Sequence, residues 1–285
     1  NFEILKYDGI RARNIGQLAY AIKCFEEATA IQEETETFSL LVTSYTQANR
    51  LDDARHTLER MIALDGQQAD TWISLAGVCY MQEDYKTMEE ACRKAIELDS
   101  QKPLAYYFAA KAAIGLHNDF MAIAMLTKAI LLKEDYTEAY QLRAETLWNM
   151  RQVKEAGEDI QVLLRMNPND EQALLLDAEI QAATGNTDQA IGQLQQILSL
   201  NLPEKTYFLL GELYLSLKET EKAIAVYDEA IDINPNFAQA YQERGRIKLL
   251  NGDKEGSVAD MKKALELAPE TEEKINGQYN NFTNK

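Results

Sequence analysis

Residues 204–237 read EKTYFLLGELYLSLKETEKAIAVYDEAIDINPNF, and this stretch decides the fold. Tyr207, Leu210, Gly211 and Tyr214 fall at i, i+3, i+4 and i+7, one apolar stripe of an α-helix. Ala223, Tyr227 and Ala230 step by four and three and mark a second helix. The polar run Lys218-Glu219-Thr220 between them reads as a turn. Asn234-Pro235 closes the unit, because proline cannot continue a helix. The stretch predicts a hairpin of two helices.

Working outward, the same 34-residue unit recurs at 2–34, 35–68, 69–102, 103–136, 137–170, 171–203, 204–237 and 238–271, the first and sixth copies one residue shorter. A fixed period of this length with two helices per unit predicts an all-α solenoid. Slot eight of the unit holds Gly9, Val42, Ala76, Ala110, Ala144, Ala178, Gly211 and Gly245. Slot twenty-seven holds Ala28, Met61, Ala95, Ala129, Leu163, Ile197, Ala230 and Ala264. Small side chains there let the two helices approach closely. The larger Val42, Met61, Leu163 and Ile197 predict looser hairpins in the second, fifth and sixth copies. All five prolines (Pro103, Pro168, Pro203, Pro235 and Pro269) sit at unit junctions, which supports the register independently.

These features resemble the tetratricopeptide repeat (TPR) family over residues 2–271. The resemblance rests on the large fourth slot (Phe38, Trp72, Tyr106, Tyr140, Leu174, Tyr207, Tyr241), the small eighth slot, the closing proline and alanine at slot twenty (Ala21, Ala54, Ala122, Ala156, Ala190, Ala223). Met88 and Ser257 depart from it at slot twenty, and Lys248 at slot eleven. The last copy thus reads as a polar terminal repeat that faces water. The resemblance implies a right-handed α-α superhelix of antiparallel hairpins, a single array over 1–271. Residues 272–285 form a C-terminal extension, and Thr271 to Ile275 predict a short capping helix at its start, ended by Gly277. Asn281-Phe282-Thr283 matches a glycosylation sequon.

The chain has 285 residues, of which 46% are hydrophobic, and a net charge of −17. Length alone would predict two globular domains, but a stacked array overrides that expectation. Nucleic-acid binding calls for a basic stripe, so the acidic balance argues against it. No apolar run is long enough to span a bilayer. The start at Asn1 reads as a processed or trimmed end, which leaves the compartment open among cytoplasm, periplasm and secretion.

The sequence offers no catalytic constellation. His56 falls on a polar helix face and His117 in a turn, neither with metal-ligand spacing, so no metal or cofactor is expected. No phosphate-binding glycine loop or nucleophile-elbow motif occurs. Cys79 and Cys92 occupy apolar slots on facing helices and read as buried small hydrophobes, with a disulfide geometrically conceivable.

Function is therefore expected on a surface. The resemblance implies that slots two, five, six, nine, twelve and thirteen face a concave groove. The third to fifth copies line it with aromatic and apolar groups, among them Tyr80, Tyr107, Phe108 and Trp148, which make good anchors for a peptide. Lys111 lies among them at slot nine and is suited to a partner carboxylate. In the fifth to seventh copies slot nine reads Glu145, Glu179 and Glu212, a row about 10 Å apart that would attract a basic segment and that Arg246 would end. The lysine-asparagine carboxylate clamp of the family's chaperone co-factors is absent, because Ile10 and Leu40 replace its asparagines beside Lys6. The expected function is a non-catalytic scaffold that binds an extended protein segment with apolar and basic residues. The alternatives are a regulatory region of a larger enzyme or sensor, and a self-associating module.

Overall fold

The computed structural model describes residues 1–200 and 204–271. Among them the chain is helical, with no strand. It divides into two compact units, Asn1–Ala156 and Gly157–Lys285. The first holds four hairpins, α1(Phe2–Asn14) with α2(Leu18–Ile31), α3(Thr35–Gln47) with α4(Leu51–Leu64), α5(Ala69–Met81) with α6(Tyr85–Leu98), and α7(Pro103–Gly115) with α8(Asp119–Leu132). Next comes α9(Thr137–Asn149), and the unit boundary falls inside α10(Val153–Met166). The second unit holds α11(Glu171–Ala183) with α12(Thr187–Leu200), α13(Glu204–Ser216) with α14(Thr220–Ile233), and α15(Ala238–Leu250) with α16(Lys254–Leu267). A 3₁₀ turn over Pro269–Thr271 follows. Pro203, the expected capping helix, Gly277 and the sequon lie outside the described residues.

One turn chemistry closes every first helix. The fifteenth slot (Gly16, Asn49, Glu83, His117, Arg151, Gly185, Lys218 and Gly252) takes the left-handed conformation, with φ between 56° and 87°. The amide three residues beyond the helix then reaches back to a carbonyl of the last turn, as in Asn118 N–H to Ala113 O at 2.8 Å and Glu219 N–H to Tyr214 O at 2.8 Å. This satisfies carbonyls that the helix end would otherwise leave bare. Side chains resist that conformation by roughly 1–2 kcal/mol and glycine does not. His117→Gly is therefore expected to stabilise the chain by roughly 0.5–1 kcal/mol in urea denaturation, with Gly185→Ala shifting it the opposite way.

Between hairpins an acidic or amide side chain does similar work. Asp65, Asp99, Asn167 and Asn234 each accept a hydrogen bond through Oδ1 from the backbone amide two residues on, at 2.9–3.1 Å. Such turns reverse the chain without a further helix. Proline follows two of them, at Pro168 and Pro235.

The hairpin interiors pair slot eight with slot twenty-four by size. Phe25 and Tyr227 are fully buried, and each faces a glycine, Gly9 and Gly211. A methyl group on Gly9 would lie 2.5 Å from the Phe25 ring, and one on Gly211 would lie 2.6 Å from the Tyr227 hydroxyl. Leu126 and Leu194 occupy the same slot opposite Ala110 and Ala178. Val42 and Met61 border an open cavity of about 330 Å³ shared by α3, α4 and α5, at the second hairpin. Cys79 and Cys92 are free and buried, and burial pushes their thiols up to about 11 and about 12.

The departures in the last repeat pack inward, Ser257 fully and Lys248 in part. Ser257 is fully buried. Lys248 places Nζ 2.9 Å from Asp260 Oδ2, and Asp260 is 5% exposed. Arg244 grips the same carboxylate with two nitrogens, Nε at 2.9 Å and Nη2 at 2.6 Å, and reaches Asp228 at 2.6 Å. Slot eleven carries a cation because slot twenty-three carries a buried anion.

Candidate functional site

In the first unit α5 and α7, the first helices of successive hairpins, lie in contact. Tyr107 and Lys111 stand one turn apart on α7 and share a face. Lys111 Nζ is 4.1 Å from the Tyr80 ring centroid and 5.1 Å from that of Tyr107. The ammonium is held between two aromatic faces, each contact worth roughly 0.5–2 kcal/mol. Stacking continues from Tyr107 to Tyr136, 5.3 Å away, and Lys133 Nζ lies 4.7 Å over Tyr136. Tyr136 is buried, which pushes its phenol up to about 12 and keeps it neutral. Tyr80 is 38% exposed. Among the described residues no carboxylate forms an ion pair with Lys111.

The other expected anchors are placed differently. Phe108 is half-buried, its ring 3.6 Å from the point where a side chain on Gly77 would begin. It packs with Trp72 and Ile73 and fills the space that Gly77 leaves on α5. Much of that ring serves the contact between hairpins. Trp148 is half-buried on α9, with the Arg151 guanidinium 6.0 Å from its ring, and none of the ring contacts of the tyrosine stack includes it.

Of the glutamates, Glu145 belongs to the first unit and accepts a hydrogen bond from Gln141 Nε2 at 2.7 Å. In the second unit Glu179 pairs with Lys205 at 2.6 Å. Glu212 pairs with Arg246, whose Nε also meets Glu243 at 2.7 Å. Two carboxylates of the row thus have cations of the chain beside them, and Arg246 answers Glu212 directly. Lys205 occupies slot two, itself a groove slot, so its position was readable in the sequence even though its pairing was not. Tyr136 and Lys133 come from the hairpin junction and have no groove slot to mark them.

Among the described residues, no group of three or more His, Cys, Asp and Glu side chains is placed to hold a metal ion. No described helix is long and apolar enough to cross a membrane.

Sequence models of the tetratricopeptide repeat match residues 40–103, 142–200 and 238–271, and a TPR repeat model matches 211–252. Together they span well over half of the chain. The chain belongs to the tetratricopeptide repeat family. This TPR chain is 26% identical over 193 residues to DnaJ homolog subfamily C member 3 of Gallus gallus, a match that covers 61% of this chain and 37% of that protein. It is 30% identical over 105 residues to the mitochondrial import receptor subunit TOM70 of Homo sapiens, which covers 35% of this chain and 17% of that one. The TPR chain therefore spans well under half the length of these curated relatives. Among solved structures, a tetratricopeptide repeat protein from Parabacteroides merdae superposes with a TM-score of 0.57 at 16% identity, covering 99% of this chain and 98% of that one. YrrB, described as a TPR protein with an unusual peptide-binding site, gives 0.54 at 24% identity, covering 64% of this chain and 95% of its own. At these identities the structures bear on the fold alone.

Proposed function

We propose that the TPR chain is a non-catalytic protein-interaction module whose first-helix face, in the unit Asn1–Ala156, binds an extended peptide. One observation carries this reading: Lys111, held between Tyr80 and Tyr107, has no carboxylate partner among the described residues. A cation fixed by aromatic faces is ordered before the ligand arrives, so less entropy is lost on binding. The peptide supplies a carboxylate to Lys111 and an apolar side chain to the exposed part of Tyr80. Its basic residues meet Glu145, one hairpin further on. The second unit contributes less, because Lys205 and Arg246 already answer Glu179 and Glu212. The name of one relative agrees with a binding role, since TOM70 is a receptor subunit.

An unbiased peptide display library, panned on the whole chain, tests this reading. Enriched peptides should carry Asp or Glu beside an aromatic or branched apolar residue. Lys111→Met keeps the aliphatic stem and removes the charge, and it should weaken those peptides about tenfold, or ~1.4 kcal/mol. Tyr80→Ala should act in the same direction, and both losses should shrink in high salt for the charged part of the contact. Unchanged affinity in both variants would refute the assignment. Phe108→Ala is the poorer probe, since it also empties the space over Gly77.

A further inference from the structure

The third and fourth hairpins carry a second feature, on the side of α7 turned away from Lys111. Ala109 and Lys111 are two residues apart, so their side chains point about 200° apart around the helix. Ala109 belongs to an open cavity of about 530 Å³ lined by Glu89, Glu90, Arg93, Ile96 and Glu97 of α6 and by Met121 and Met125 of α8. That volume is in the range of ligand-binding clefts.

The repeat pattern explains why a cavity opens there. Slots seven and twenty-three face each other in the sixth and eighth hairpins and line one cavity in the fourth. In the eighth repeat they are Arg244 and Asp260, joined by two hydrogen bonds. In the sixth they are Asp177 and Gln193, also hydrogen-bonded. In the seventh they are the larger apolar pair Leu210 and Val226. In the fourth they are Ala109 and Met125, and a single methyl group leaves the floor low.

The lining is apolar below and acidic above. Met121 is 44% exposed, and its neighbour Phe120 is 75% exposed. Methionine is unbranched and polarisable, so it adapts to whichever apolar group enters. On the α6 wall Glu97 is answered by Arg93 and Lys94, each at 2.9 Å. Glu89 and Glu90 have no ion pair among the described residues, so the rim carries two unanswered negative charges. The α6 wall from Glu89 to Glu97 rises about 12 Å, two helical turns.

We propose that this groove docks an amphipathic helical segment of a partner protein, which seats a large apolar side chain on Met121 and Met125 and sets Lys or Arg against Glu89 and Glu90. A helix laid in a groove between two helices presents its anchors one turn apart, and two turns of wall match that spacing. The surface is independent of the tyrosine stack and uses none of its residues.

The test uses the whole chain with methyl-labelled methionine and two synthetic peptides. Each peptide is a helix of about fourteen residues with a leucine face, one with lysine flanks and the other with glutamate flanks. The methyl signals of Met121 and Met125 should shift with the lysine peptide, while those of Met81 and Met166, exposed elsewhere on the chain, stay in place. The paired change Glu89→Gln with Glu90→Gln touches only exposed side chains and should weaken the lysine peptide about fivefold. Lys111→Met should leave that affinity unchanged, which separates this surface from the peptide face above. Equal binding of both peptides would overturn the proposal, as would shifts at Met81 or Met166 in place of Met121 and Met125. Shifts at Met121 and Met125 that grow with protein concentration in the absence of peptide would overturn it in favour of a second copy as occupant.

Discussion

Replacing Asp260 by alanine is expected to destabilise the last hairpin by about 3 kcal/mol. The carboxylate is buried and receives Nε and Nη2 of Arg244 and Nζ of Lys248. Its removal leaves two cations facing one another in a partly desolvated site, with Asp228, about half-exposed, as the remaining anion. A buried pair broken on one side commonly costs ~3–5 kcal/mol, and the partial exposure of Arg244 and Lys248 keeps the expected loss at the low end. The cost belongs to the broken pair and not to the absence of a charge network as such. The triple change Arg244→Leu, Lys248→Tyr and Asp260→Val copies slots seven, eleven and twenty-three of the seventh repeat, Leu210, Tyr214 and Val226. It should recover most of the stability, because apolar residues of similar volume often replace a buried ion pair without loss. Hydrogen exchange across α15 and α16 reads the effect locally, which matters in an array whose repeats need not unfold together. An Asp260→Ala chain that exchanges as slowly as the parent would show that the network contributes nothing.

The second large effect is a coupling between two positions. Gly211→Ala should cost about 1–3 kcal/mol, even though alanine is the better helix former by roughly 1 kcal/mol. The added methyl group would fall 2.7 Å from the Tyr227 ring, and Tyr227 is fully buried against Phe208, whose ring centroid is 5.8 Å from its own. The ring therefore has nowhere to move without displacing its neighbours. Tyr227→Leu alone should cost a similar amount by leaving a void over the glycine. The two changes together rebuild the Ala178 and Leu194 pair of the sixth repeat. The double variant should be more stable than the sum of the single losses by about 2 kcal/mol, measured as a double-mutant cycle in urea. Simple additivity would show that the two slots do not share one volume. A correspondingly strong coupling is expected between Gly9 and Phe25, where the approach is closer still.

Both results explain how far the sequence could be read. The apolar stripe from Tyr207 to Tyr214, the small slots and the proline positions were enough to predict paired helices and their family, because a repeated local pattern reports the same packing many times. Lys248 was legible as a departure but not as a cause. Its polarity looked like that of a solvent-facing terminal repeat, and only the position of Asp260, on the other helix of the hairpin, shows it to be half of an internal ion pair. Phe108 was legible as an unusual aromatic residue, but Gly77, which it covers, lies on the preceding hairpin. The tyrosine stack was half visible. Tyr80, Tyr107 and Lys111 fell on groove slots, whereas Tyr136 joined from a junction that no helical period describes.

The sequence by itself determined what recurs: helix, turn, helix and stop. These depend on backbone geometry and on the spacing of side chains along one chain segment, which a periodic pattern states directly. The tertiary structure alone decided which side chains meet across hairpins, and so which charges are already answered. Glu179 and Glu212 looked alike to Glu145 in sequence, yet Lys205 and Arg246 reach the first two. Pairing depends on distance through space between residues tens of positions apart, and a linear pattern does not contain that distance.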